Sequence, residues 1–205
     1  MSRRGEFSLI GKIDGLFPLK DWGGTGGLVG IGDDCAVIPR GDGRDTLVST
    51  DLLIEGVHFL LERAPGRHGG PSCISPFDLG WKSAAVNISD VAAMGGRPSA
   101  TFLSIAVPDH IDDAFLDEFL LGYREISLKY GVPLLGGDTT SSKDSLCINV
   151  AVMGECPSGG AVLRSGALPG DLVCVTGNLG DSASGLDFLL RPDGVSRIPS
   201  EYAEY

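Results

Sequence analysis

Positive charge is scarce in this 205-residue chain, which has 16 lysine and arginine residues against 27 aspartate and glutamate residues and a formal net charge of -11. A nucleic-acid-binding surface needs clustered basic residues, and the sequence contains no basic run interleaved with aromatics. Long apolar runs are missing as well, since no stretch approaches the ~20 residues that a membrane-spanning helix needs. The composition therefore predicts a globular protein with neither a nucleic-acid partner nor a membrane partner.

The number and spacing of the cysteines do not fit a disulfide framework. The five cysteines form no Cys-x-x-Cys pair and are odd in number, and Cys35, Cys147 and Cys174 stand in apolar runs typical of small buried residues. Arg3 and Arg4 lie near the start, but the polar residues that follow do not fit the apolar region of an export signal. These features predict a reducing, cytoplasmic location.

The usual phosphate-binding loops are also absent. The sequence has no Gly-x-x-x-x-Gly-Lys-Ser/Thr motif, no complete Gly-x-Gly-x-x-Gly and no protein-kinase catalytic signature. Glycine itself is abundant, with 31 residues clustered in short loops. If a nucleotide binds, an architecture of another kind must hold its phosphates.

Four aspartates stand beside glycine or hydroxyl residues, in predicted loops or near strand ends. Their segments are Gly32-Asp33-Asp34, Ser49-Thr50-Asp51, Asn87-Ile88-Ser89-Asp90 and Gly136-Gly137-Asp138-Thr139-Thr140. Oxygen ligands of this kind suit Mg²⁺, which binds through a few carboxylates and completes its octahedral shell with water and substrate phosphates. The pattern predicts chemistry on a magnesium-bound nucleotide.

Each segment also has a simpler interpretation. Asp33-Asp34 alone is more often a turn, and Asp90 in the middle of a helix is more often a solvated residue or a salt-bridge partner. An unpaired carboxylate among the small residues of that helix would nevertheless be costly, and a cation would offset the cost. The glycines before Asp138 allow a backbone to approach phosphate closely. His58 is one of three histidines, and a lone histidine is more often structural.

Strands and helices alternate along the chain. One helix is predicted from a Ser75 cap to about Met94, and a second from Asp112 to Tyr130, with Leu120 among its inward-facing residues. Strands are predicted at 34–38, 46–50, 101–107, 132–135, 146–153 and 172–176, a loop at 63–72 and a last helix at 181–190. This order predicts an α+β fold in which helices cover one face of a mixed sheet.

The ordered set of segments resembles the thiamine-monophosphate kinase family, within the wider AIR-synthetase-like superfamily. Besides the four aspartate segments, the matching residues are Gly5-Glu6-Phe7-Ser8-Leu9-Ile10, Glu55-Gly56-Val57-His58-Phe59, Gly80-Trp81-Lys82-Ser83-Ala84-Ala85-Val86, Leu163-Arg164-Ser165-Gly166-Ala167 and Val175-Thr176-Gly177-Asn178-Leu179-Gly180-Asp181. Any one of these is weak evidence, but together, in the family's order, they are specific.

The resemblance implies transfer of the γ-phosphoryl group of ATP to thiamine monophosphate, giving thiamine diphosphate and ADP, in a homodimer. In that family Mg²⁺ ions are held by residues matching Asp34, Asp51, Asp90 and Asp138, with Ser49 and Thr50 assisting. Gly137, Asp138 and Arg164 match nucleotide-contacting positions, and His58 matches a substrate contact. No residue is expected to act as a general base, because an acceptor phosphate needs little help from one.

The chain departs from the family in one respect. Family members continue into a second domain with Asp-Leu-Ser-Asp-Gly-Leu and Gly-Gly-Glu-Asp-Tyr-Glu segments, and neither is present. The resemblance therefore predicts an N-terminal Mg-nucleotide-binding and dimerisation domain at 1–155 and the truncated beginning of a C-terminal domain at 156–205. Two alternatives stay open: a catalytically impaired Mg-nucleotide-binding module, or another ATP-dependent synthetase of the superfamily.

Overall fold

The computed structural model describes residues 5–23, 25–61 and 74–190. The helices are α1 (Glu6–Leu16), α2 (Pro76–Ala93), α3 (Asp113–Tyr130) and α4 (Asp181–Leu190), with short 3₁₀ helices at Leu19–Trp22 and Arg164–Gly166. The strands are β1 (Ala36–Pro39), β2 (Arg44–Ile54), β3 (Arg97–Pro108), β4 (Leu134–Ser142) and β5 (Cys147–Pro157). None of the described helices is long and apolar enough to cross a membrane.

The five strands form one mixed sheet in the order β1-β2-β5-β3-β4. All neighbours pair antiparallel except β3 and β4, which are parallel. Helices α2 and α3 pack together and enclose the main core with one face of the sheet, which we call the covered face. On the opposite, open face, Leu52 is 50% exposed and Met153 is 39% exposed. The predicted α+β fold with helices on one face is confirmed.

Local sequence explains where the two large helices begin and end. The Ser75 side chain accepts a hydrogen bond from the Asp78 backbone N–H, and a proline occupies the first turn of α2. Asp112 caps α3 by accepting from the Phe115 N–H, and Gly131 ends it in the left-handed conformation with a φ of 67°. Both helices therefore lie where the sequence predicted them.

Two glycines allow α2 and α3 to pack closely. A Cβ on Gly80 of α2 would overlap the Phe119 carbonyl oxygen, and a Cβ on Gly122 of α3 would overlap the Phe77 carbonyl oxygen. Each glycine thus faces the backbone of the other helix. This crossing fixes the rotation of α2 and therefore which of its side chains face the sheet.

Three predictions need correction, and one helix was missed. The Gly-Gly-Asp segment lies within strand β4 and not in a loop, because β3 pairs with it from Phe102 onward. Residues 172–176 form no strand in the described structure, and Leu172 and Val173 there are 89% and 97% exposed. Leu120 is 47% exposed on α3, so it is not an inward-facing core residue. Helix α1 was not predicted. The predicted loop at 63–72 lies outside the described residues.

Candidate functional site

Strand β2 and helix α2 together form the centre of the candidate site. Ser49 donates a hydrogen bond from its Oγ to Oδ2 of Asp90, with a separation of 2.7 Å. Two residues along β2, the Asp51 backbone N–H donates to Oδ1 of Asn87 at 3.1 Å. Asn87 and Asp90 are three apart on α2, so one helix face presents both side chains to the strand. These two contacts show that Asn87 and Asp90 share the face of α2 that meets β2.

The negative charge around the Asp90 carboxyl is larger than the neighbouring positive charge and hydrogen bonding can offset. Burial raises the pKa of the Asp90 carboxyl above its ordinary value, and the charges of Asp51 and Asp34 raise it further. The hydrogen bond from Ser49 and the charge of Arg164 lower this pKa, but the net shift remains upward. The charges of Asp51 and Asp34 therefore add to the effect of burial at Asp90, an effect that a bound cation would relieve.

Arg164 connects the segment after β5 to the Asp33-Asp34 turn. Its guanidinium forms an ion pair and hydrogen bond with Oδ1 of Asp34, and its backbone N–H donates to Oδ1 of Asp33 at 2.6 Å. The hydrogen bond to Asp34 is the main cause of a raised Arg164 pKa. Arg164 thus supplies the positive charge beside Asp34, and its backbone holds the turn in place.

Cys35 lies beside the acidic group but is chemically inert there. Burial, followed by the charges of Asp90 and Asp34, raises the pKa of its thiol to about 12. A thiolate is the reactive form of cysteine, so a thiol held this way is neither a nucleophile nor a metal ligand at neutral pH. Its place is in the smaller core cluster with Val37, Leu47 and Cys156.

Thr50 and Asp138 do not join this group within one chain. Thr50 alternates to the open face, where its Oγ1 accepts a hydrogen bond from Nδ2 of Asn149 at 2.8 Å. The strand register aligns Asp51 with Val150, Leu103 and Gly137 across four neighbouring strands. Three strand spacings separate β2 from β4, so Asp138, next to Gly137, is about 14 Å from Asp51.

A cavity borders the Gly136-Gly137-Asp138 segment on the covered side of β4. Its volume is about 570 Å³, and its walls include Leu103, Ile105, Leu116, Phe119 and Leu120. Gly137 has a φ of 153°, and a Cβ there would overlap the Leu103 carbonyl oxygen. The second glycine of the segment is therefore required for β4 to pair with β3. No sequence signal pointed to this cavity, because periodicity assigned the exposed Leu120 to the core.

His58 lies in a tight turn that follows β2. Its Nδ1 accepts a hydrogen bond from the Ile54 backbone N–H at 3.0 Å, and its backbone carbonyl accepts from Nζ of Lys82 at 2.8 Å. Gly56 adopts a φ of 80°, and its N–H donates to the carbonyl of Phe59, which is buried in the core. The turn is held at both ends while the imidazole remains exposed.

The predicted site residues therefore fall into two groups. Asp34, Ser49, Asp51, Asp90 and Arg164 interact with one another, whereas Thr50, His58, Gly137 and Asp138 lie on the open face, in the turn after β2 or on β4. Among residues 5–23, 25–61 and 74–190, no three histidine, cysteine, aspartate or glutamate side chains form a cluster that could hold a metal ion. Sequence reasoning missed the backbone contact between Arg164 and Asp33, because nothing local links positions 131 residues apart.

Comparison with known proteins places this geometry in a family. Residues 32–156 match the family model described as "AIR synthase related protein, N-terminal domain". The chain is 43% identical over 163 residues to thiamine-monophosphate kinase of Bacillus subtilis, covering 80% of this chain and 47% of that protein. It is 40% identical over 185 residues to the enzyme of the same name from Escherichia coli, covering 90% of this chain and 52% of the relative.

Solved structures give the same picture. A structure described as AaThiL complexed with AMPPCP and TMP superposes with a TM-score of 0.76 at 34% identity, covering 93% of this chain and 54% of the other. Thiamine monophosphate kinase from Aquifex aeolicus superposes with a TM-score of 0.71 at 33% identity, covering 91% and 53%. The chain thus spans about half the length of the curated relatives and solved structures that it matches.

Proposed function

This chain belongs to the AIR synthase related protein family, matched through the N-terminal domain, and we propose that it acts in the ATP-dependent phosphorylation of thiamine monophosphate to thiamine diphosphate. The observation that carries the proposal is the hydrogen bond from Ser49 to Asp90, at a place where burial and the charges of Asp51 and Asp34 raise the Asp90 pKa. Relatives at 40–43% identity bear the name of this kinase, and one related structure is described as a complex with AMPPCP and TMP.

The donor set suits magnesium. Asp34, Asp51 and Asp90 offer carboxylate oxygens and Ser49 offers a hydroxyl oxygen. The hydroxyl of Thr50 and the carboxylate of Asp138 are oxygen donors of the same kind, but within one chain they lie outside this group. Hard oxygen donors of this kind prefer Mg²⁺. The unrelieved repulsion at Asp90 fits a group that is neutralised by a cation. Bound Mg²⁺ would supply the positive charge that two reacting phosphate groups need in order to approach each other.

The remaining residues of the proposed site orient the substrates. The cavity beside Gly137 and Asp138 is apolar enough for a nucleoside base, and its glycine backbone leaves room for phosphate. The guanidinium of Arg164 can turn from Asp34 to a nucleotide phosphate without leaving the site. His58 is proposed to contact thiamine monophosphate. A general base is not required, because the acceptor phosphate is already ionised.

We further propose that the site is completed in a homodimer. Asp138 is about 14 Å from Asp51 within one chain, which is too far for both to hold one ion. Strand β1 pairs with β2 only from Asp45 to Val48, so among the described strands β5 alone pairs with the half of β2 that carries Asp51. A second copy's edge strand β4 could approach there and bring its Asp138 to Asp51 of the first copy.

The division of the chain into 1–155 and 156–205 also remains a proposal. The segment after Leu163 has high exposure up to residue 187, as expected for the beginning of a domain that needs further partners. The second candidate function is a Mg-nucleotide-binding module that turns over nothing, which the placement of Asp138 three strands away from Asp51 favours. We regard another ATP-dependent synthetase activity of the superfamily as the third candidate.

An acceptor panel tests the proposal. The chain would be incubated with ATP and Mg²⁺ and with thiamine monophosphate, thiamine or no acceptor, and ADP and thiamine diphosphate would be measured. The proposed function predicts that ADP formation requires thiamine monophosphate and matches thiamine diphosphate formation. Nucleotide binding without ADP formation would favour the non-catalytic module. ADP formation that ignores thiamine monophosphate would favour another synthetase.

A further inference from the structure

Asn149 of β5 contacts two oxygens of the neighbouring strand β2 with one amide group. Its Nδ2 donates to Oγ1 of Thr50 at 2.8 Å and to the backbone carbonyl of Asp51 at 3.1 Å. A carbonyl oxygen can only accept, so the Asn149 atom beside it must be the amide nitrogen, and Oγ1 of Thr50 must accept as well. Each of the two amide protons thus has its own acceptor on β2.

The other residues on the same face of β5 give no reason for an amide at this position. Ile148 and Val150 are buried in the core, so the alternation of the strand places Asn149 on the open face. The neighbouring residues of β5 on that face are small or apolar: Cys147, Ala151 and Met153. The amide of Asn149 is therefore explained by what it binds on β2 and not by the character of its own strand.

A second asparagine bonds the Asp51 backbone from the other side of the sheet. Oδ1 of Asn87, on α2, accepts from the Asp51 N–H at 3.1 Å, and Nδ2 of Asn87 donates to the Ser83 carbonyl at 3.1 Å. Asn87 contacts β2 from the covered face, whereas Asn149 contacts it from the open face. The backbone at Asp51 is therefore a fixed anchor for the Asn149 amide.

An anchored amide fixes the direction of the Thr50 hydroxyl. Because Oγ1 accepts from Asn149, the Thr50 proton and the remaining lone pair point away from Asn149. An oxygen that is oriented before its ligand arrives binds it without the further cost of ordering the side chain. We propose that Asn149 is a positioning residue of the site, which orients the Thr50 hydroxyl as an oxygen ligand for Mg²⁺.

The open face gives this hydroxyl its place in the proposed site. Thr50 lies on the face that a second copy is proposed to cover, and that copy would bring its Asp138 with it. A hydroxyl and a carboxylate are both hard oxygen donors of the kind that Mg²⁺ prefers. The role of Asn149 rests on the proposed function, because it takes Thr50 as a donor to the cation, whereas the contacts of the amide do not.

Nuclear magnetic resonance tests the contact without metal or activity. The side-chain amide of Asn149 gives two ¹H–¹⁵N signals, which would be assigned from their loss in Asn149→Ala. Thr50→Val removes one acceptor, so one amide proton should exchange faster with water while the proton bound to the Asp51 carbonyl stays protected. Two unchanged signals in Thr50→Val would mean that Asn149 does not hold the Thr50 hydroxyl, and the proposal would fail.

Calorimetry with Mg²⁺ alone tests the role of Asn149 in the site. Loss of one hydrogen bond weakens binding roughly three- to tenfold, and we expect this loss of Mg²⁺ affinity in Asn149→Ala. Asn149→Gln keeps an amide donor and should restore most of it. Ser99→Ala is the matched control, because it removes a side-chain hydrogen bond of 3.1 Å to the Met153 carbonyl and should leave the affinity unchanged. Wild-type affinity in Asn149→Ala would overturn the positioning role.

A double-mutant cycle tests whether Asn149 acts through Thr50. If it does, Asn149→Ala should weaken Mg²⁺ binding by less than about twofold once Thr50→Val is present. Equal losses in both backgrounds would show that the two side chains act independently and would contradict the proposal. A wild-type chain without Mg²⁺ affinity would overturn the proposed magnesium site together with this role, whereas affinity retained in Asn149→Ala would overturn this role alone.

Discussion

Single residues decide the chemistry of the site, and Asp90 is the clearest case. It lies on a helix face pressed against β2, accepts a hydrogen bond from Ser49, and has two further carboxylates nearby. Crowded negative charge weakens the folded state, so a carboxylate at this position costs stability unless a cation neutralises it. Such a perturbed carboxylate is typical of a functional site.

Asp90→Asn should therefore stabilise the protein without metal and remove its response to magnesium. The amide keeps an oxygen to accept from Ser49 but no longer repels Asp51 and Asp34. We expect the melting temperature at pH 7 in chelator to rise by roughly 2–4 °C, the shift that about 1 kcal/mol produces in a chain of this size.

Calorimetry with and without Mg²⁺ would check both effects. The matched control is Asp138→Asn, which removes an exposed carboxylate on β4 and should leave the melting temperature in chelator unchanged. A lower melting temperature for Asp90→Asn would show that the carboxylate stabilises the fold even without a cation, and the repulsion among the three aspartates would then not be the dominant effect.

Cys35 gives a second test at this scale. With its pKa raised to about 12, only about one thiol in ten thousand is ionised at pH 8, so alkylation should be slow. Cys174 is exposed and should react with iodoacetamide well before Cys35, as peptide mapping by mass spectrometry would show. Rapid labelling of Cys35 in the folded chain would mean that its thiol is neither buried nor surrounded by negative charge.

Among the secondary-structure elements, the crossing of α2 and α3 determines the geometry of the site. Gly80 and Gly122 each face the backbone of the opposite helix, so the helices approach more closely than side chains would allow. This contact sets the rotation of α2, and that rotation directs Asn87 and Asp90 toward β2. The candidate site therefore depends on two residues that take no part in its chemistry.

Gly80→Ala should be strongly destabilising. The added methyl group would overlap the Phe119 carbonyl, and severe overpacking costs up to about 3 kcal/mol and occasionally more. At roughly 2–4 °C per kcal/mol, the melting temperature should fall by roughly 10 °C, as a thermal unfolding scan would show.

Gly15→Ala is the matched control, because Gly15 is also helical but a Cβ there meets nothing within 4 Å. Its stability should be unchanged or slightly higher, as expected from the greater helix propensity of alanine. Equal melting temperatures for Gly80→Ala and the wild-type chain would contradict the close packing of the two helices.

The helices and strands that could be predicted are those whose sequence signals lie within the element or at its ends. The caps at Ser75 and Asp112 and the terminator Gly131 lie at the ends of the helices they bound, so both helices were predicted correctly. Strand β4 was not, because Gly136-Gly137-Asp138 has the composition of a loop and becomes a strand only by pairing with β3. The apolar run at 172–176 has the composition of a strand, but no described strand pairs with it.

The residues of the candidate site divide in the same way, into those placed by local sequence signals and those placed by long-range pairing. Asp90 and Asn87 could be placed on one face from their spacing. Ser49, Thr50 and Asp51 were expected to act together, but strand alternation directs Thr50 to the open face. The separation of Asp138 from that group could not be foreseen, because it depends on the strand order β2-β5-β3-β4. Sequence order alone does not reveal that three strand spacings lie between the two aspartates.

For the whole molecule, the open face of the sheet and its incompletely paired edges are the decisive features. Leu52 and Met153 are exposed on that face, and the half of β2 that carries Asp51 has a described partner on one side only. Exposed apolar faces and free edges of this kind are ordinarily covered by a partner. A second copy would cover them and bring Asp138 to the site, as proposed.

Leu52→Lys should therefore dissociate the dimer. A lysine at this position would place a charge within the proposed interface, and sedimentation velocity should report a monomer where the wild-type chain sediments as a dimer. Leu121→Lys is the control, since Leu121 is 55% exposed on α3 and away from the open face. A wild-type monomer, or a Leu52→Lys dimer as tight as the wild type, would exclude this interface.

The measurement that tests the central claim most directly is complementation between Asp51→Asn and Asp138→Asn. Each variant alone should form almost no thiamine diphosphate from ATP and thiamine monophosphate. In an equal mixture with free subunit exchange, half of the dimers are mixed and each has one intact site, so about a quarter of the wild-type rate should return. A mixture as inactive as its components, or a wild-type chain that forms no product, would contradict a thiamine-phosphate kinase site shared between two copies.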